Sequence, residues 1–140
     1  MKTIWTFTQV GVAGIGGLLG WYLGGFDGLI YALIAFVTMD YITGVLRAIV
    51  EKKLSSRLGA HGIIKKILIF LMVGIANLAD IALLGDGSAL RTAAILFYIS
   101  NEGVSLLENA AIVGLPVPDR LKEILAQLHG KSKNNRDNEK

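Results

Sequence analysis

The sequence predicts an all-α integral membrane bundle of four transmembrane helices followed by a short C-terminal amphipathic helix. Three observations carry that expectation. Long apolar runs recur through the first 114 residues, and a bilayer core of about 30 Å takes about 20 helical residues to cross. Charge is scarce and gathered: 18% of residues are charged, where a soluble domain carries about 25%, and mean hydropathy is +0.56. The third is the stretch Arg47–Lys66, RAIVEKKLSSRLGAHGIIKK, the long polar break between apolar runs. It sets Arg47, Lys52, Lys53, Arg57, Lys65 and Lys66 against Glu51 alone. Basic loops are retained on the cytoplasmic side of a membrane. Residues 1–114 read as a transmembrane domain, 115–129 as a proline-containing turn and amphipathic helix, and 130–140 as a disordered polar tail.

The first span is expected over about residues 5–24. Trp5 at one end and Trp21 with Tyr22 at the other suit the two interfacial aromatic belts. Thr3 to Phe26 carries no charge, is longer than a usual signal-peptide core and lacks a clean cleavage site, so it reads as a retained span. Gly16, Gly20 and Gly24 are four apart on one face, with Gly11, Gly14 and Gly17 on a neighbouring strip. Such rows let backbones approach, either within the protomer or between copies. After a turn at residues 25–28, the second span covers about 29–50. It places Asp40 near mid-membrane, where an acid needs a partner or water. Arg47, two turns on, is too far along the same helix for an ideal direct pair, so Asp40 is expected to meet another helix. Thr43 and Gly44 widen the small-residue surface beside it.

Ser55 and Ser56 are placed to cap a short helix in the basic loop, with Gly59 and Gly62 permitting turns. His61 there reads as a loop or headgroup contact. The third span is expected over about 63–84, with Lys65 and Lys66 snorkelling to headgroups. Asn77 and Asp80 fall three apart on one face, following Gly74. A turn at residues 85–88 leads to a fourth span over about 90–111. There Tyr98, Asn101, Glu102, Ser105, Glu108 and Asn109 recur at helical spacing, a polar stripe on an apolar helix. The stripe suits a buried network in one protomer; its number of polar groups favours a surface meeting other protomers or pore water. Gly114-Leu115-Pro116-Val117-Pro118 stops the helix. From Asp119, Leu121, Ile124, Leu125 and Leu128 line one side of a helix lying on the membrane face.

Counting from the basic loop puts the 25–28 and 85–88 turns outside and both termini inside. Of the 14 Lys and Arg, Arg91 lies at the outer side, Arg47 at the inner end of its span, and the others in inner segments. The net charge of +3 then reads as loops facing an anionic leaflet, with membrane lipid the partner and no nucleic acid. The chain has no cysteine, hence no thiolate metal site. His61 and His129 converge with no nucleophile, no phosphate loop occurs, and no metal-ligand spacing is present. The sequence therefore predicts no enzyme, no cofactor and no metal.

Several segments together resemble the toxin-secretion and phage-lysis holins of Gram-positive bacteria and their phages, phage holin family 4. They are Asp40-Tyr41-Ile42-Thr43-Gly44-Val45-Leu46-Arg47-Ala48, Lys53-Leu54-Ser55-Ser56-Arg57-Leu58-Gly59, Gly62-Ile63-Ile64-Lys65-Lys66 and Asp80, then Asn101-Glu102, Ser105-Leu106-Leu107-Glu108-Asn109 and Gly114-Leu115-Pro116-Val117-Pro118. The resemblance covers about residues 38–128; the glycine-rich first span matches only in character. It implies a homo-oligomer of the bacterial cytoplasmic membrane that assembles into lesions, letting an endolysin reach the wall or a large protein toxin leave. The family brings no catalytic residues. The candidates for assembly and pore lining are Asp40, Arg47, Asn77, Asp80, Asn101, Glu102, Ser105, Glu108 and Asn109, with Gly16, Gly20, Gly24 and Gly44 for helix packing. Two other readings stay open: a small ion channel or transporter subunit using Asp40 and Asp80 as a relay, and a membrane anchor recruiting a partner through the basic loop and tail helix.

Overall fold

A computed structural model describes residues 1–85, 87–121, 123, 124 and 127, all helix and connecting turns. Four long helices follow one another: α1 Lys2–Leu23, α2 Gly28–Val50, α3 Ser56–Ala79 and α4 Ala89–Val113. A π-helical segment, Asp80–Leu84, extends α3. The outer ends meet expectation within two or so residues. α3 differs: it starts at Ser56, about seven residues before the expected span. Ser55 caps it, its hydroxyl accepting the Leu58 N–H at 3.1 Å, and the helix runs through Gly59 and Gly62 without a turn. The reason is Tyr41, whose ring lies on the bare face those two glycines leave and whose hydroxyl donates to Gly59 O at 3.4 Å. The basic stretch is thus mostly helical, its non-helical part confined to residues 51–55. His61 sits on exposed helix surface, not in a loop.

Two helical stretches among the described residues, Gly28–Val50 and Ser56–Leu84, are long and apolar enough to cross a membrane. In α1 five glycines dilute the apolar character, and in α4 the polar stripe does. The outside of the fold is nonetheless apolar. Trp5, Phe7, Ile15, Leu18, Met39, Leu68, Met72, Leu83 and Phe97 all stand exposed. A surface of this kind suits lipid and not water.

The interior runs in layers. α2 packs along α4, and α3 closes against them. Ile30, Leu33, Val73 and Ile95 are fully buried and form a dry layer with Val37 and Ile69. Seven residues along each helix from this layer stands an ionisable group: Asp40 after Leu33, Lys66 before Val73, Glu102 after Ile95. Seven residues are two turns and about 10 Å of rise, on nearly the same face. α1 stands apart. Its residues 2–15 are exposed throughout, and it meets the bundle only through its last turns. There Tyr22 donates to Leu71 O at 2.8 Å, its ring filling the space that Gly74 leaves.

At the C-terminal end, Gly114 takes a left-handed conformation at φ 110° and closes α4. A helical turn opens at Asp119, where the Leu121 N–H donates to Pro118 O at 2.9 Å. Leu125 and Leu128 of the expected amphipathic helix, and the tail 130–140, lie outside the described residues.

Candidate functional site

The expected site residues separate into two clusters on opposite sides of the dry layer. The inner one centres on Lys66. Its ammonium donates to Asp40 Oδ2 and to Glu102 Oε2, so one cation on α3 joins carboxylates on α2 and α4. Sequence reasoning sends Lys66 to the headgroups; the structure turns it inward. Lys66, Val73 and Asp80 are spaced by sevens, so Lys66 shares the core face of α3, while Lys65 takes the exposed position.

Asn109 supports the cluster. Its Nδ2 donates to Asp40 Oδ1 at 3.2 Å and to Thr43 Oγ1 at 3.2 Å, and its Oδ1 accepts from Arg47 Nη1 at 3.4 Å. Arg47 and Asp40 are therefore linked through an amide on another helix, as their spacing requires. Arg47 also meets Glu51 at 3.5 Å. Asn109 lies against α2 at Gly44, where an added side-chain carbon would stand 3.6 Å from its amide nitrogen, an ordinary contact. Beside the cluster is a cavity of about 660 Å³. Asn101 and Ser105 line it together with Asp40, Lys66, Glu102 and Asn109, and it reaches the α2–α3 connection at Lys53 and Leu54. Glu108 is half-buried on α4.

The outer cluster centres on Arg91. Its Nε donates to Leu23 O at 2.6 Å, its Nη2 to Gly25 O at 3.0 Å, and its Nη1 to Asp27 Oδ2 at 2.7 Å. Asp27 also caps α2, Oδ1 accepting the Ile30 N–H at 3.0 Å. The hydrogen bond from Arg91 holds the Asp27 carboxyl below its ordinary pKa, against the opposing effect of partial burial. Asp80, wholly buried, accepts the N–H groups of Leu90 and Arg91 at 2.9 and 2.8 Å. It closes the N-terminus of α4, where free N–H groups and the helix dipole both favour a carboxylate. Asn77 donates to Tyr22 O at 3.1 Å. Gly24, left-handed at φ 81°, ends α1 where a side chain would strike Asn77 and Arg91.

The nine candidate polar residues thus do not form one stripe. Asp40, Arg47, Glu102 and Asn109 meet in the inner cluster, with Asn101 and Ser105 along its cavity. Asn77 and Asp80 belong to the outer one. Fourteen residues of α3 part Lys66 from Asp80, about 21 Å of rise, so Asp40 and Asp80 are not neighbours in a relay. Among the described residues no buried side-chain nitrogen or oxygen lacks a partner. Of the fourth-span stripe, Glu102 and Asn109 find partners on α3 and α2 within the protomer. Of the packing glycines, Gly20 meets Phe26 and Gly24 meets the outer cluster, both within the protomer, whereas Gly16 faces open space.

Three residues were missed by sequence reasoning as site members: Lys66, Arg91 and Asp27. For Lys66 the signal was present in the heptad spacing; for Arg91 and Asp27 it was not. Leu33, Asp40 and Arg47; Lys66, Val73 and Asp80; and Ile95, Glu102 and Asn109 are three runs of one buried face each. Among the described residues there is no group of acids and histidines able to hold a metal ion.

A family model described as a bacteriophage holin family matches residues 17–130, which takes in both clusters. An uncharacterized 14.9 kDa protein in the nagH 3'region of Clostridium perfringens is 39% identical over 132 residues, 94% of this chain and 99% of the relative. An uncharacterized protein of Listeria monocytogenes is 39% identical over 124 residues, covering 89% of this chain and 88% of its own. A protein of Bacillus phage phi105 named as a probable holin is 42% identical over 90 residues, 61% of this chain and 66% of its own. No solved structure matches.

Proposed function

The chain belongs to the bacteriophage holin family, and on that premise we propose that it works as a holin. It accumulates as a homo-oligomer in the bacterial cytoplasmic membrane, with four helices across the bilayer and both termini inside. There it opens lesions that let an endolysin reach the cell wall or a large protein toxin leave. The family and the apolar exterior point to a membrane protein. Beyond family, the observation that carries the reading is Lys66 between Asp40 and Glu102. Ionisable groups at membrane depth are costly and mark functional positions.

A single protomer already pairs these groups, so concealment of charge is not what drives copies together. Their role lies in the open state. When copies crowd, neighbours or water replace the partners that one protomer supplies, and the inner layer becomes the wet lining of a hole. The basic α2–α3 connection stays on the cytoplasmic side throughout.

Induction in bacteria, with growth, membrane potential and release of cytoplasmic protein followed in parallel, tests this. We expect abrupt loss of potential together with release of folded protein. Continued growth and intact potential at high expression would count against a holin. A leak restricted to ions would favour the small-channel reading. Glu102→Gln and Glu108→Gln are each expected to shift the time of onset.

A further inference from the structure

We propose that each protomer contains a water-filled vestibule, open at the α2–α3 connection, that admits water and small hydrated ions as far as the Asp40–Lys66–Glu102 cluster and stops at the dry layer. The inference deepens the proposed function and rests on its placement of the helices in a membrane.

Three independent features support it. The cavity holds about 660 Å³, room for on the order of twenty waters at about 30 Å³ each. Its lining includes the cluster residues Asp40, Lys66, Glu102 and Asn109, three of them buried, and extends to Lys53 and Leu54 in the non-helical stretch of residues 51–55. Charged side chains in the wall of a cavity this size hold water against it, whereas a wholly apolar cavity stays dry. Second, the lining charges are mixed: Arg47, Lys53, Lys65 and Lys66 face Asp40, Glu51 and Glu102. Ions of neither sign are excluded. Third, the barrier is sharp. Two helical turns beyond the cluster, Leu33, Val73 and Ile95 are fully buried and present no polar atom to carry a water chain onward. The outer side is then sealed by the Arg91 network on the carbonyls of Leu23 and Gly25. The protomer is hydrated over its inner half and dry over its outer half. One layer of aliphatic side chains separates the two aqueous sides along its interior, and that layer is what an opening event has to part.

The absence of cysteine from the chain permits a direct test with single-cysteine variants and a membrane-impermeant charged thiol reagent. It is applied to intact spheroplasts and to inverted vesicles at expression too low to affect growth. Ser56→Cys, on α3 beside the connection, and Ser88→Cys, in the opposite turn, report orientation. We expect Ser105→Cys to react from the same side as Ser56→Cys and not from the side of Ser88→Cys. Ile95→Cys should react from neither. Asn101→Cys is the second reporter in the same cavity, should Ser105→Cys not accumulate. A cavity position that stays unlabelled from both sides while Ser56→Cys reacts would mean lipid or protein fills the space, and overturns the proposal. So would labelling from the side of Ser88→Cys, or labelling of Ile95→Cys from either side. Failure of the holin reading is distinguishable: a chain that forms no lesion at high expression can still show this pattern. Ser56→Cys reacting from outside would invert the orientation and leave the vestibule in place.

Discussion

The Arg91 cluster and the Lys66 cluster each join several helices through one buried cation, yet they spend it differently. Arg91 donates to the backbone carbonyls of Leu23 and Gly25, at and just past the end of α1, and to Asp27 in the turn, and Asp80 caps α4. These bonds close helix ends, a need the bundle has in every state. Lys66 bonds only side chains, and both partners are acids on the other long helices. No helix end depends on them, and a cavity adjoins them. The outer cluster closes helix ends and turns; the inner one links three helix faces through side chains alone.

The largest expected effect comes from removing the inner cation. Lys66→Met leaves two carboxylates facing each other without a counter-charge, and breaking a buried pair in this way costs about 3–5 kcal/mol. Loss of folded protein in detergent, followed by thermal unfolding, measures it. The triple variant Asp40→Asn, Lys66→Met, Glu102→Gln is expected to regain most of that stability, because a cluster removed whole leaves no orphan charge. A triple variant as unstable as Lys66→Met would break the comparison, since the inner cluster would then be needed for its shape.

Next in size is Arg91→Ala, which should cost about 1.5–3 kcal/mol, the range for hydrogen bonds made by a charged group. Hydrogen exchange should rise at the end of α1 and the start of α2, leaving the inner half of α4 protected. Arg91→Lys should not restore protection, because one ammonium cannot span Leu23 O, Gly25 O and Asp27 as a planar fork does. Asp80→Ala is expected to cost about 1–2 kcal/mol, on the scale of a lost helix cap, with exchange rising at Leu90 and Arg91. The smallest effect is acidification. The Asp27 carboxyl has its pKa lowered on folding, so its contribution is complete above the ordinary value of 3.8 and is lost as pH falls through the lower folded value. Unfolding midpoints measured at falling pH should show this loss, and Asp27→Asn should abolish that portion of it.

The helices were legible because membrane length and apolar composition constrain them from sequence alone, and α2 and α4 start and stop within about two residues of expectation. The start of α3 was not, because Gly59 and Gly62 signal turns locally and only the ring of Tyr41, from another helix, explains why they continue as helix. In the site, Asp40 was readable as needing a cross-helix partner. Which partner was not, since Lys66 near a helix start is equally suited to snorkelling until the register of three helices is known. Arg91 was read only as the basic residue at the outer side, because two of its acceptors are the backbone carbonyls of Leu23 and Gly25, which carry no sequence signature.

Residues 2–15 of α1 stand exposed along their whole length. The family match begins at Gly17, close to where that helix first touches the rest of the protein. Substitutions ahead of it leave the folded unit's thermodynamics alone and alter only what the unit presents sideways. The integrity of the single copy therefore resides in the chain from about Gly17 onward, and the leading segment can drift without disturbing it.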